Sequence, residues 1–509
     1  MKNKENGVYY TPPALADFLV KPLMKSMNQR ILDPSYGEGS LLLAAERFIN
    51  KKHSDIQLFG CDILPVNGLL KHLPEANLNE VDFFDFSIEN KFQTIIMNPP
   101  YVRHQIQNQT NIDKYRKNFA ILRILNNNAD LWAFFLVKSV SHLQKGGSIG
   151  AILPWSFLQA DYAKPVRQWL AEIFREIKVV VLSNKYFAKA DERVVIIWLR
   201  GNGQKNISIE IASSKKIESS ICFTKLNSHS WCSDRVPYSG ANNIEQILFR
   251  YQSEFGFTHF VDHADIKIGV VTGAVDYFIM SKQDAKTMGF EKNRLIPILT
   301  RSDEFANYIR NGEKDLSFLL ALKGEDHFKY KIYIQKGIEA KFHLRRHSIL
   351  REPWYAVKVG KVPDAFFHYR ITKIPYLLPN DNKVQSTNSI HRVYFKNITE
   401  IEKKWIFVSI LSLPSQLSLE TNAKTYGRGV LKFEPTSLKN ALVISRNDSI
   451  VDSTYKQIID LLSKGNKERA MQVATEFIYK ELSIPEELKH SAEEALLRLQ
   501  ELRLPNKNE

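Results

Sequence analysis

Three cysteines in 509 residues, Cys61, Cys222 and Cys232, are too few and too scattered for a disulfide framework or a metal knuckle. Their scarcity excludes a small stapled secreted domain, and the expected setting is a reducing cytoplasm with no bound metal. No run approaches the ~18 apolar residues of a membrane span. Met1-Lys2-Asn3-Lys4-Glu5 also lacks the apolar stretch of a signal peptide, so no membrane partner is expected. Missing too are an internal repeat, a low-complexity tract and the Gly-x-x-x-x-Gly-Lys-Ser/Thr loop that cradles phosphates. Acidic residues are in deficit: 55 Asp+Glu face 70 Lys+Arg, a net charge of +15. The surplus is +8 over 1–230 and +9 over 231–450, and turns to −2 over 451–509. Charge of this distribution suits a polyanion gripped by two lobes, or a basic surface that serves solubility, and by itself leaves both open.

What remains is an ordinary globular composition, 44% hydrophobic and 25% charged, with length for two or three domains. From about 29 to 200 short β-branched runs alternate with helical stretches, the pattern of a parallel α/β sheet. Strands are expected at Arg30–Asp33, Ile56–Cys61, Val81–Phe84, Thr94–Asn98, Ser148–Leu153, Ile177–Leu182 and Arg193–Leu199. Helices are expected over Ser40–Lys51, Ala129–Leu143 and Ala160–Ile173. The last two strands are too close for a helical crossover and should pair antiparallel. Serines between 213 and 233 read as a linker. Residues 240–445 are irregular, with β-like runs such as Phe328–Gln335 and His391–Phe395, and the chain turns helical from Asp452. The expected domains are 1–230, 231–450 and a helical segment 451–509.

The chemistry-bearing residues gather at the carboxyl ends of the expected strands, where open α/β sheets bind ligands. Asp33-Pro34-Ser35-Tyr36-Gly37-Glu38-Gly39-Ser40 runs from strand through a glycine turn into a helix; its acids would repel phosphate and suit an amine or sulfonium. Asp62 ends the next strand, placed for ribose hydroxyls or for a helix cap. Asp82-Phe83 could offer a carboxylate and a ring to an adenine, or serve as a cap beside a core side chain. Asn98-Pro99-Pro100-Tyr101 stops a buried strand with two prolines and presents an amide, carbonyls and an aromatic ring on a stiffened backbone, which suits a flat substrate bearing an amino group. Four such accidents in this order are improbable. Further on, residues 331–375 hold 10 Lys/Arg against 3 Asp/Glu around Arg345, Arg346, Arg351, Trp354, Lys358 and Arg370. They are candidates for phosphate contact and stacking, or for a solvated basic face with Trp354 in the core.

In this order of motifs the chain resembles the adenosylmethionine-dependent N6-adenine DNA methyltransferases. Tyr9-Tyr10-Thr11-Pro12-Pro13 precedes the Asp33 loop and the recognition region follows the core, as in the gamma class of TaqI-like modification enzymes. Gly146–Leu158 resembles the strand after that family's catalytic loop, and Phe187 the aromatic facing the flipped base. Ile266–Gly273 and Thr387–His391 look like recognition-domain signposts. The resemblance implies a Rossmann-like class I methyltransferase core, a mostly parallel seven-stranded sheet with an antiparallel last strand. A mixed α+β target-recognition domain and a helical tail would follow it. It implies Asn98, Pro99, Pro100 and Tyr101 as catalytic, and Tyr101 and Phe187 stacking on the base. Thr11, Asp33, Pro34, Gly37, Gly39, Asp62, Asp82 and Phe83 would bind S-adenosylmethionine. Double-stranded DNA would be the partner, and a cognate restriction endonuclease would act separately. A fused endonuclease is not expected, since the motifs begin at residue 9. Glutamine-N5 or guanine-N2 transfer, and a catalytically silent DNA-binding subunit, are the rival readings.

Overall fold

The computed structural model describes residues 11–24, 28–49, 55–64, 72–102, 109–118, 120–126, 128–182, 194–214, 217, 221–233, 236, 241–425 and 429–504. They fall into two compact units, the first running to Ala241 and the second spanning Asn242–Leu504. Among them, no helix is long and apolar enough to cross a membrane, and no group of three or more His, Cys, Asp or Glu stands together to hold a metal ion.

The first unit is built on a sheet of nine strands among the described residues: β1 (Asn28–Asp33), β2 (Asp55–Asp62), β3 (Asn77–Glu80), β4 (Phe92–Met97), β5 (Leu143–Pro154), β6 (Phe174–Leu182), β7 (Val194–Asn202), β8 (Ser208–Ser214) and β9 (Thr224–Lys225), in the order 3-2-1-4-5-7-6-8-9. β1 through β5 pair parallel, and β7 runs antiparallel to both β5 and β6. This is the Rossmann-like class I methyltransferase arrangement, extended by two edge strands beyond the expected seven. Serines 213 and 214 belong to β8, which pairs parallel with β6, and Asn227 caps a turn of helix at Ser228–Trp231. That part of the stretch is therefore sheet and cap, not linker.

Two further expectations are corrected. Val81–Phe84 is a turn that follows a more polar edge strand, Asn77–Glu80. Phe328–Gln335 runs into a helix, Lys331–Glu339, which buries Ile334.

Burial on both faces explains the apolar runs of β4 and β5. Helix α1 (Pro13–Val20) starts with proline at its first position, where no N–H is needed, and Trp198 Nε1 on β7 donates to Leu19 O at 2.9 Å. Helix α2 (Ser40–Ile49) leaves the glycine turn with Leu41, Leu42, Ala44 and Ala45 buried. Helices α3 (Gln109–Asn118) and α4 (Leu131–His142) follow β4.

The second unit holds two four-stranded sheets, each against its own apolar cluster. The strand Ala264–Ile268 pairs antiparallel with Ile390–Phe395, and Val270 bridges Thr387, so the two signpost segments are neighbours. A Cβ on Gly269 would fall 2.0 Å from Thr387 O, so only glycine admits this approach. The helices Val451–Ser463, Lys467–Leu482 and Glu486–Arg503 belong to this unit. Thr475 Oγ1 accepts from Leu413 N at 3.0 Å, and the buried Arg503 guanidinium pairs with Glu420.

Candidate active site

The strand order reverses between β1 and β4, which leave their shared edge in opposite directions, with Leu32 opposite Ile95. Such a switch point opens a crevice beyond the carboxyl ends of the strands. Asp33 closes β1, Asp62 closes β2 and Asn98 follows β4, so one crevice receives all three. Ser35 Oγ donates to Asn98 O at 3.3 Å and ties the two loops together.

Asp33 is 1% exposed and accepts from Ser35 N at 3.1 Å. Burial pushes its carboxyl up to about 8 against that hydrogen bond, and the charge of Asp62 adds to the rise. Pro34 O accepts from the buried Cys61 thiol at 3.5 Å. Gly37 adopts φ +52° and Gly39 φ +78°, left-handed values that turn the chain into α2. A Cβ on Gly37 would meet no atom within 4 Å, so this turn borders open space. Asp62 is fixed from both sides: Oδ2 accepts from Gly37 N and Oδ1 from Leu64 N, each at 2.9 Å. Beside it Ile63 and Leu64 are each 63% exposed, apolar side chains that no motif in the sequence marks.

At Asn98 the amide is held at both ends. Nδ2 donates to the buried Thr11 Oγ1 at 3.0 Å, and Oδ1 accepts from Tyr101 at 2.9 Å. The Tyr101 hydroxyl has a second acceptor in Ile152 O at 3.1 Å, on β5. Pro99 is buried and Pro100 half-buried. Thr11 therefore meets Asn98 directly, not only the crevice at large.

Asp82 accepts from Phe84 N at 2.9 Å and from Tyr115 on α3 at 2.7 Å, while the Tyr115 ring stacks on Phe84 at 3.8 Å. Phe83 does not join them at the crevice. It is 2% exposed, stacked on Phe135 at 5.3 Å with the Lys138 ammonium 4.4 Å from its ring, so the core-side alternative holds for this residue. Phe187 lies outside the described residues. Of the basic stretch, Arg345, Arg346, Lys358 and Arg370 are exposed. Arg351 instead ties Thr272 O at 2.5 Å to Ser348 Oγ at 3.1 Å, and Trp354 packs 5.3 Å from Tyr277 inside the second unit. Those two are framework, turned inward by the fold.

Lys138, wholly buried on α4, was not singled out by sequence. Its ammonium donates to Phe83 O and to Phe86 O, the latter at 3.4 Å, pinning the Asp82 loop from beneath. Burial lowers its pKa to about 8, against the pull of Cys61 and Asp82. The folded protein thus binds fewer protons than the unfolded chain between about 8 and the ordinary lysine value, so stability contributed by this group rises with pH across that window. Lys138→Met removes the titration. Urea midpoints measured from pH 7.5 to 10 should show the wild type gaining on the variant by up to about 3 kcal/mol. Parallel profiles would remove Lys138 as the source.

The family model described as N-6 DNA Methylase matches residues 1–267, and that of the Type II methyltransferase M.Eco57I C-terminal domain matches 241–479. The chain is 23% identical over 469 residues to the Type II methyltransferase M.AccI of Acinetobacter calcoaceticus, covering 87% of this chain and 86% of that one. It is 21% identical over 494 residues to M.PaeR7I of Pseudomonas aeruginosa, with 85% of each covered. In fold it is similar to the Type IIL restriction-modification enzyme MmeI, solved in complex with DNA, at TM-score 0.58 and 13% identity over 98% of this chain and 73% of that one. With a family match over more than half its length and an amide clamp beside two strand-end acids, the chain belongs to the N-6 DNA methylase family and is an adenine-specific DNA methyltransferase.

Proposed function

We propose that this enzyme is the gamma-class modification methyltransferase of a type II restriction-modification system. It acts in the cytoplasm on duplex DNA, separately from a cognate endonuclease, and draws its methyl group from S-adenosylmethionine. The names of its relatives support the modification role. The crevice supports the cofactor: a buried carboxylate at Asp33, a fixed one at Asp62, open space at Gly37 and exposed apolar side chains at Ile63 and Leu64 suit a cation, a ribose and a base in that order. When bound, that cofactor supplies an electrophilic methyl on sulfur.

The protein's own part is positioning. Asp33 would face the cationic end, Asp62 the ribose hydroxyls and Asp82 the adenine amino group. Asn98 Oδ1 and the Pro99 carbonyl would accept the two N–H bonds of the target amine. That draws its lone pair out of conjugation with the ring and aims it. No strong base is needed for such a step. The amine is unreachable inside a duplex, so the base swings out at a cost of a few kcal/mol; stacking on Tyr101, worth ~1–3 kcal/mol, offsets part of it.

The observation that carries the reading is the Asn98 amide, locked between Thr11 and Tyr101 at the switch point of the sheet. The test is transfer of radiolabelled methyl to plasmid DNA, followed by sequencing that detects N6-methyladenine in context. Label confined to adenines at one recurring site is expected, and no label on any adenine overturns the reading.

A further inference from the structure

On the second unit the chain inverts the usual order of burial. Ser348, a polar residue, is fully buried, while its neighbours Ile349 and Leu350 are 62% and 78% exposed. This is not a loose end. Ser348 N and Ile349 N both donate to Arg345 O, at 2.8 and 3.1 Å, forming a closed turn. Arg351 N donates to Ser348 O at 3.1 Å, and its guanidinium clamps His347 O, Ser348 Oγ and Thr272 O. The same guanidinium lies 5.3 Å over the Phe278 ring in the core of that unit. The anchor thus holds two apolar side chains out in water, where they forgo the burial that apolar groups normally find.

The rim of this tip is cationic. Lys341, Arg345 and Arg346 are exposed beside it against one exposed carboxylate, Glu352, and Leu344, 56% exposed, adds a third apolar side chain. The Arg345 guanidinium rests 4.4 Å over the Phe342 ring, so it is held at the rim rather than free to sweep. A held apolar point bordered by three cations and one carboxylate fits, in a DNA methyltransferase, base edges and stacked faces flanked by phosphates.

We infer that Ile349 and Leu350 form an apolar wedge that enters a groove of duplex DNA and presses between base steps, with Arg345 and Arg346 on the flanking phosphates. The inference rests on the reading of this enzyme as a DNA methyltransferase and adds the element that distorts the duplex. Phosphate contacts and wedge contribute differently to binding: the first release counterions and set the salt dependence, the second does not.

The experiment measures binding of the full-length protein to a short duplex taken from a plasmid that the wild type methylates, across a salt series. Ile349→Ser/Leu350→Ser should weaken binding by about tenfold or more at every salt concentration with the slope of log Kd against log salt unchanged. Arg345→Ala/Arg346→Ala should reduce that slope by about 2. Both changes are at exposed positions, and an unchanged melting temperature and adenosylmethionine affinity exclude misfolding. Affinity within twofold of wild type for the serine pair overturns the wedge. So does a shift from dimer to monomer in sedimentation with DNA affinity intact, which would make the tip a self-contact. Failure of the wild type to methylate any plasmid, from which no such duplex could be drawn, would instead sink the underlying reading, so the two failures are distinguishable.

Discussion

Asn98→Ala is expected to lower the rate of methyl transfer at least ~10³-fold while the dissociation constant for S-adenosylmethionine stays within about twofold. The reason lies in what the amide is attached to. Its Nδ2 is spent on Thr11 Oγ1, which fixes the plane of the group, and its Oδ1 points at Tyr101. In the resting protein the phenol therefore occupies the acceptor that the target amine needs. Ile152 O, 3.1 Å from the same hydroxyl, lets Tyr101 hand the acceptor over without leaving its own proton unpaired. Tyr101→Phe separates the two parts: the ring stays and the acceptor is vacated. It should keep most of the transfer rate, whereas Asn98→Ala should not. Single-turnover transfer with cofactor binding by calorimetry measures both. An Asn98→Ala enzyme with near wild-type turnover would remove the amide from the chemistry.

Much of this was readable from the chain, for a physical reason. A strand segment buried on both faces must be apolar, and the residue that ends it polar or a breaker, so β4 and the carboxyl halves of β1 (Ile31, Leu32) and β2 (Leu58 to Cys61) announce their ends at Asn98, Asp33 and Asp62. Functional residues at those ends inherit the same legibility, because the sheet brings them together whatever the loops do. Edge strands obey no such rule. β3 is Asn-Leu-Asn-Glu, with little to distinguish it, and the nearby Phe83 and Phe84 drew attention although they belong to the turn packed beneath the crevice. The alternating Phe328–Gln335 run misled in a similar way: apolar residues at period two (Phe328, Tyr330, Ile332, Ile334) suggest a strand, yet Tyr330, Tyr333 and Ile334 pack from a helix and the turn before it.

Side chains that act on the site from elsewhere left no trace. Lys138 and Tyr115 reach the Asp82 loop across 55 and 33 residues, from helices whose own patterns say only that they are helices. A buried lysine reads as an exposed one until the carbonyls above it are in view. The basic stretch shows the converse. Arg345 and Arg346 do face solvent, but Arg351 and Trp354 are consumed by the second unit, and composition has no means to sort the four. Family membership separates N6-adenine transfer from the glutamine and guanine chemistries that the Asn98 motif left open.

The acid at the end of β1 makes the second large effect a pH dependence. In the free protein burial holds the Asp33 carboxyl up to about 8, so at pH 6 to 7 it is mostly protonated. The sign for folding follows: the folded chain keeps a proton that the unfolded chain has lost, so this group's favourable contribution is complete at acid pH and is lost as pH rises toward 8. For binding the sign is opposite. Only the ionised carboxylate attracts a cation, and a cation beside it favours ionisation, so binding of S-adenosylmethionine should expel close to one proton at pH 6.5. Affinity should then rise about tenfold per pH unit from 6 to 7 and level off above 8. Asp33→Asn imitates the protonated group and keeps the Ser35 contact. Its affinity at pH 8 should fall by about 10- to 100-fold, the worth of a hydrogen bond to a charged group. Calorimetry in buffers of differing ionisation enthalpy counts the protons, and the difference between wild type and variant isolates Asp33 from groups that titrate on the ligand. Equal proton release by the two proteins would mean that the carboxylate is ionised before the cofactor arrives or never meets its charge, and either outcome removes Asp33 as the counter-ion.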